Sequence, residues 1–328
     1  MISFRESKYM DNKLGGLLMK SIYLLSVTLL LASCAPAAEK PKTYDISFTH
    51  ENQEIQIVPL YKAYDDYIQA VSKQPEDNEA LFKKYVLDAK NKIIKKEQLQ
   101  ANFDSSLLEH PSENIKDLKQ MNTYLKKHHQ RIMKQIKSSL LTSMKQLPRD
   151  EKLVVFVSPI TPTKPDEAKR FGGVSGVAQG NNSMSLFFLK DFSKESLLNS
   201  TAHEYHHTVA LDEPNRATVL DHIILEGKAE FFSHKLYPLE SSESIAPLLD
   251  HTLEHVISEL NAERLTTDDL FVGNYEKQIP AFVKYRLGYM IVSDFVKQHP
   301  EISLKEWSRM SSVQILEKSS YKDMLTIR

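Results

Sequence analysis

Two helix-length stretches, residues 193–211 and 217–236, constrain this chain more than any other part of it. The first reads "SKESLLNSTAHEYHHTVAL" and the second "ATVLDHIILEGKAEFFSHKL". Ser193, with Glu195 in the first turn, starts one helix and Pro214 closes it; the other stops before Pro238. Leu198, Ala202, Tyr205 and Val209 form an apolar stripe on the first, and Leu220, Ile223, Ile224, Gly227 and Phe231 line the second. Yet the first also carries His203, Glu204, His206 and His207, and the second His222, Glu226 and Glu230. Polar groups on an otherwise apolar helix need partners, and a metal ion held between the two sets would satisfy both.

Within "TAHEYHH" a helix leaves two pairings open, His203 with His206 or His203 with His207. The form H-E-x-x-H puts His203 and His207 on one face, where both imidazoles converge on one cation. Glu204 then sits about 100° round the helix, beside the metal rather than on it, placed to take a proton from water. A catalytic zinc wants three protein ligands and an open position. Glu226 follows His207 with eighteen residues between them and is the third ligand. Glu230, one turn on, is placed to accept a hydrogen bond from a ligating imidazole and fix its tautomer. His222 is a weaker candidate for contact with the site or substrate, and His206 is left on the flank. A second pair four apart, His251 and His255, lacks the glutamate and reads as surface.

The single cysteine, Cys34, excludes an intrachain disulfide and any multi-cysteine zinc site, so a metal here must use His, Asp and Glu. The formal charge of −1 gives no reason to expect a nucleic-acid partner. Helical periodicity covers about 57–146, with Pro75 and Pro111 as breakers and a short strand possible at 44–50. "KLVVFVSPI" at 152–160 is a buried strand. Four of the nine glycines fall in "FGGVSGVAQGNNSMSLFFL", where "GNN" predicts a hairpin turn. Glycine permits close approach, so this hairpin is either an ordinary loop or an edge strand that meets a ligand, with Gly176 and Ser185 as candidate contacts. Residues 243–325 are mostly helical in pattern.

The N-terminal region has its own logic. "MKSIYLLSVTLLLASC" starts at Met19 with a basic residue and an apolar run too short to span a bilayer comfortably. Its ending, "LASC", resembles a bacterial lipobox, which implies that Cys34 becomes the first mature residue and carries lipid. Residues 1–18 do not fit a signal and suggest that Met19 is the true initiator. Residues 19–33 are then the signal peptide, 34–43 a tether, 44–150 a helical N-terminal part and 151–328 the metal-bearing domain. The expected location is extracytoplasmic and membrane-anchored in a bacterium, on the outer face of the cell membrane or in the periplasm or outer membrane.

H-E-x-x-H, eighteen residues and then E-G-x-A-x-F resembles the gluzincin metallopeptidases. The stretch from about 150 onward is similar to the YjaZ-like family of predicted bacterial zinc-dependent proteases, through "GGVSGVAQG", "AHEYHH", "LEGKAEFF", "YRLGYMIV" and "ILEKSSY". The resemblance implies zinc on His203, His207 and Glu226, with Glu204 as general base. It implies an α+β fold: a zincin-like core of small mixed sheet, metal helix and glutamate helix, with helical parts before and after. It makes the glycine-rich strand an edge that pairs with an extended peptide. Such enzymes also stabilise the oxyanion, often with a Tyr or His, and Tyr285 and Tyr289 are the candidates. The implied activity is hydrolysis of a peptide or protein substrate. The competing reading is a non-catalytic binding lipoprotein on the same fold, its metal closed off by four protein ligands.

Overall fold

Leu153–Pro159 is buried at every position, and the fold is assembled on either side of it. This strand, β3, lies at the middle of a five-stranded mixed sheet with β1 (Ile46–His50), β2 (Gln53–Pro59), β4 (Val174–Gly180) and β5 (Ser183–Phe188), in the order β1-β2-β3-β5-β4. β2 and β5 run parallel to β3, with Ile57 opposite Val155 and Val155 opposite Met184. β1 and β4 close the two edges antiparallel. The computed structural model describes residues 44–101, 108–160, 169, 172–210, 218–240 and 242–327. The signal at 19–33, Cys34 and the tether lie outside the described residues. Tyr44–Arg328 forms one compact unit.

Strand alternation sends side chains to two cores. Ile55, Ile57, Leu153, Val155, Val157, Met184, Leu186 and Phe188 share the larger one. It is completed by α5 (His129–Gln146), α6 (Lys194–Ala210), α7 (Val219–Leu236) and α10 (Val283–Gln298). Val58, Val154 and Phe156 face the other way, onto α1 (Tyr61–Val71) and the helical run formed by α2 (Asn78–Phe82), a π-turn (Lys83–Leu87) and α3 (Asp88–Lys96). Helix α4 (Ile115–Lys127) reaches both cores, through Leu118 and through Met121 and Leu125. The short helices α8 (Asp250–Asn261), α9 (Thr267–Val272), α11 (Leu304–Ser308) and α12 (Ser312–Glu317) finish the chain. Among the described residues no helix is long and apolar enough to cross a membrane.

The fold is mixed α+β, and two details differ from the sequence expectations. The helical pattern expected from about residue 57 begins at Tyr61, because "QEIQIVP" alternates with period two and becomes β2, with Ile55 and Ile57 buried on one face. Residues 46–59 thus supply two of the five strands, and the chain from Tyr44 onward does not divide near 150. Helix α6 carries more than an apolar stripe. Every residue from Thr201 to Ala210 is buried, wedged between β4, α5 and α7, while Leu198 is only half-buried.

Candidate metal centre

Helix α6 is fixed at both ends before any of its polar residues meet a partner. Ser193 Oγ accepts from the Ser196 N–H (2.9 Å) and caps its start. Near its end Tyr205 donates to the Leu147 carbonyl (2.7 Å), and the guanidinium of Arg149 donates to the Thr208 carbonyl. Helix α7 begins in a capping box, Thr218 with Asp221. Lys228, buried on α7, donates to the Ser308 carbonyl (3.2 Å) and to that of Met310, tying α7 to the end of α11. The side chains that face one another between α6 and α7 are therefore held from the backbone outward.

His203, His207 and Glu226 converge there. The two Nε2 atoms lie 2.9 Å apart, and each is 3.3 Å from Glu226 Oε2. One ligand atom from each residue lies within 4.8 Å of the other two, a set that could hold a metal ion. Tetrahedral coordination at about 2.0–2.2 Å requires ligand atoms roughly 3.3 Å apart, which this triangle approximates. On its other ring atom, His203 Nδ1 is 3.4 Å from Glu230 Oε1, and the Ser244 hydroxyl donates to Glu230 Oε2 (3.1 Å). That pairing presents Nε2 of His203 to the centre.

Burial shapes the charges. Burial alone pushes Glu226 up, but Lys284 and the two imidazoles outweigh it and hold the carboxyl well below the usual range. For His203 burial works against the charged form, yet Glu226 and Glu230 raise it well above the ordinary histidine value. Glu204 is raised, first by burial, against the lowering effect of both histidines and a backbone hydrogen bond from Ala178. Its Oε2 is buried without a hydrogen-bonded partner among the described residues. It lies over β4 at Gly176, where a Cβ would come within 2.7 Å of Glu204 Cδ and Oε1. Gly176 therefore lets the edge strand close onto Glu204.

Tyr285 and Tyr289 separate. The Tyr285 ring stands 6.2 Å from that of His203, and its phenol is raised well above its ordinary value, by burial first and then by Glu226, Glu230 and Glu204. It is a hydrogen-bond donor at any ordinary pH. Tyr289, one turn on, packs against Phe231 and His234. His222 is half-buried one turn before Glu226. His206 is fully buried, with its Nε2 3.2 Å from Ser308 Oγ and its ring stacked on Trp307. Arg286 donates to the carbonyls of Ala246 and Pro247 and so pins a loop.

Ser185 is not brought to this group. It sits in the interior strand β5 opposite Val177, so its side chain points to the sheet face away from Glu204, where it donates to Gln179 Oε1 (3.0 Å). Of the two hairpin strands, β4 is the edge strand. Two features escaped the sequence. Lys284 bonds Glu226 Oε1 at 3.0 Å. α7 and α10 cross glycine to glycine, a Cβ on Gly288 falling 2.8 Å from Gly227 N.

With this geometry in hand, comparison with known proteins adds one finding. The family model described as "Predicted Zn-dependent protease (DUF2268)" matches residues 129–317, more than half the chain. No curated protein and no solved structure matches.

Proposed function

This chain belongs to the family of predicted Zn-dependent proteases, and from that premise we propose that it is a zinc metallopeptidase of gluzincin type on a zincin-like core. The observation that carries the reading is the convergence of His203, His207 and Glu226, with the Glu204 side chain pressed against the edge strand β4 beside them. Zinc held by those three residues would supply a Lewis acid that activates water and polarises the scissile carbonyl. Glu204 would take the proton from the attacking water on its unpartnered Oε2 and return it to the leaving amine. Tyr285, kept protonated by its surroundings, would donate to the developing oxyanion. β4 would receive the substrate backbone as an added strand.

A closed structural site needs a fourth protein ligand. The two side chains that a closed site would call on are otherwise engaged, His206 with Ser308 and Trp307 and Glu230 with His203 Nδ1 and Ser244. That favours the catalytic reading over the binding lipoprotein. We also propose, from "LASC" and Cys34, that the mature protein is lipid-anchored outside the cytoplasm. The test of the catalytic reading is a pair of variants. Glu204→Gln should keep one zinc per chain and lose about 10²–10⁴-fold in peptide cleavage, whereas His207→Ala should lose the zinc. A Glu204→Gln protein that cleaves a peptide library as well as wild type would falsify the assignment.

A further inference from the structure

We propose that Lys284 is a positioning residue that restricts Glu226 to one-oxygen coordination and so keeps a position at the metal open for water; this rests on the zinc reading above. The two oxygens of Glu226 have different neighbours. Oε2 faces both histidine Nε2 atoms at 3.3 Å, and Oε1 accepts from Lys284 Nζ at 3.0 Å. A carboxylate beside a divalent cation binds through one oxygen or both. With both, Glu226 would take up the space that an attacking water needs, and three protein ligands would close the site that catalysis requires open. A charge-assisted hydrogen bond to Oε1 opposes that rotation.

The lysine is itself held. Its ammonium lies over the rings of Phe271 (4.7 Å) and Tyr285 (4.9 Å). Its side chain is only 16% exposed, so the pair with Glu226 is shielded from the screening that weakens surface ion pairs. Its helix enters through strain. Phe282, buried and just ahead of α10, sits in the left-handed region (φ 60°, ψ 23°), a costly conformation for a bulky residue. The Phe282 N–H donates to the Phe271 carbonyl (2.9 Å), linking that entry to the ring that covers Lys284. The glycine crossing of α7 and α10 then brings Lys284 within reach of a carboxylate 58 residues earlier.

The roles of orienting ligand and mere charge partner differ in what they predict. Crystal structures of the zinc-loaded wild type, Lys284→Arg and Lys284→Met should show Glu226 bound through Oε2 alone in the first two and through both oxygens in the third. Zinc affinity, measured by chelator competition, should be unchanged or tighter in Lys284→Met, because a nearby cation has gone and a ligand atom has been gained. Lys284→Leu, which likewise offers no donor to Oε1, serves as a second uncharged variant should the methionine protein fail to fold. One-oxygen binding that persists in the uncharged variants overturns the proposal, as does a fall in their zinc affinity of about 10–100-fold, the cost of losing an ordinary supporting contact. A wild-type chain that binds no zinc overturns the metallopeptidase reading as well, so the two failures are told apart.

Discussion

An alanine at Gly176 would place its Cβ 2.7 Å from both Cδ and Oε1 of Glu204 and closer still to its Cγ. A carbon atom does not tolerate non-bonded contacts that short, so either β4 or the glutamate side chain must move. β4 is held by its ladder to β5, and Glu204 is the end of a flexible side chain, so the carboxylate yields. Displacing a general base by about 1 Å costs on the order of 10²-fold in rate. Gly176→Ala should therefore retain zinc and fold, yet lose about that much peptide cleavage; zinc content and turnover measured on one preparation check it. At this scale the sequence is informative where spacing decides. Helical spacing puts His203 and His207 on one face with Glu204 beside it, and the eighteen-residue spacing to Glu226, with the resemblance to gluzincins, points to the third position. It misleads at Ser185, where the hairpin was legible but its register was not: one residue's shift along a strand exchanges the two faces of the sheet. Lys284 was illegible because nothing local marks it. It is one lysine among many, and its partner is distant in the chain.

Helix α10 meets α7 through Gly288 and Gly227, and the placement of Lys284 and Tyr285 depends on that approach. Two effects compete when Gly288 becomes alanine. Helix propensity favours alanine by up to about 1 kcal/mol. Against it, the new Cβ falls 2.8 Å from Gly227 N, 2.9 Å from its Cα and closer still to the Ile223 carbonyl oxygen, and backbone in a packed helix cannot step aside as a side chain can. Overpacking costs about 1–3 kcal/mol, so the steric effect should win. Gly288→Ala should be destabilised in urea unfolding by roughly 1–2 kcal/mol net of propensity, with peptide cleavage reduced as α10 moves outward. Equal stability and full activity would show that the crossing is slack. The helices themselves were legible from periodicity and proline. Their crossing was not, because a glycine in a helix pattern records that something is close without saying what. β2 is hidden for a related reason: "VPLYKAYDDYIQAV" has helical spacing from Tyr61 onward, and its first two residues, Val58 and Pro59, belong to the strand before it.

At the scale of the whole chain, the site draws on segments far apart in sequence: β4, α6, α7, α9 and α10, with α11 supporting from behind. All belong to the unit from Tyr44 to Arg328, in which no described helix is apolar and long enough to cross a membrane. The proposed point of attachment lies ahead of that unit, at the chain's single cysteine. One acyl chain binds a bilayer only marginally, whereas a multiply acylated cysteine anchors firmly, so the difference between anchored and free protein should be large. Expressed as the full chain in a bacterial host, the wild type should incorporate labelled fatty acid and sediment with membranes. Cys34→Ala should lose the label and leave the membrane pellet, while the zinc content of the purified protein stays the same, because His203, His207 and Glu226 all lie within the unit from Tyr44 onward. A labelled Cys34→Ala chain, or a wild type that is soluble and unlabelled, would remove the lipid anchor and leave the proposed peptidase chemistry untouched.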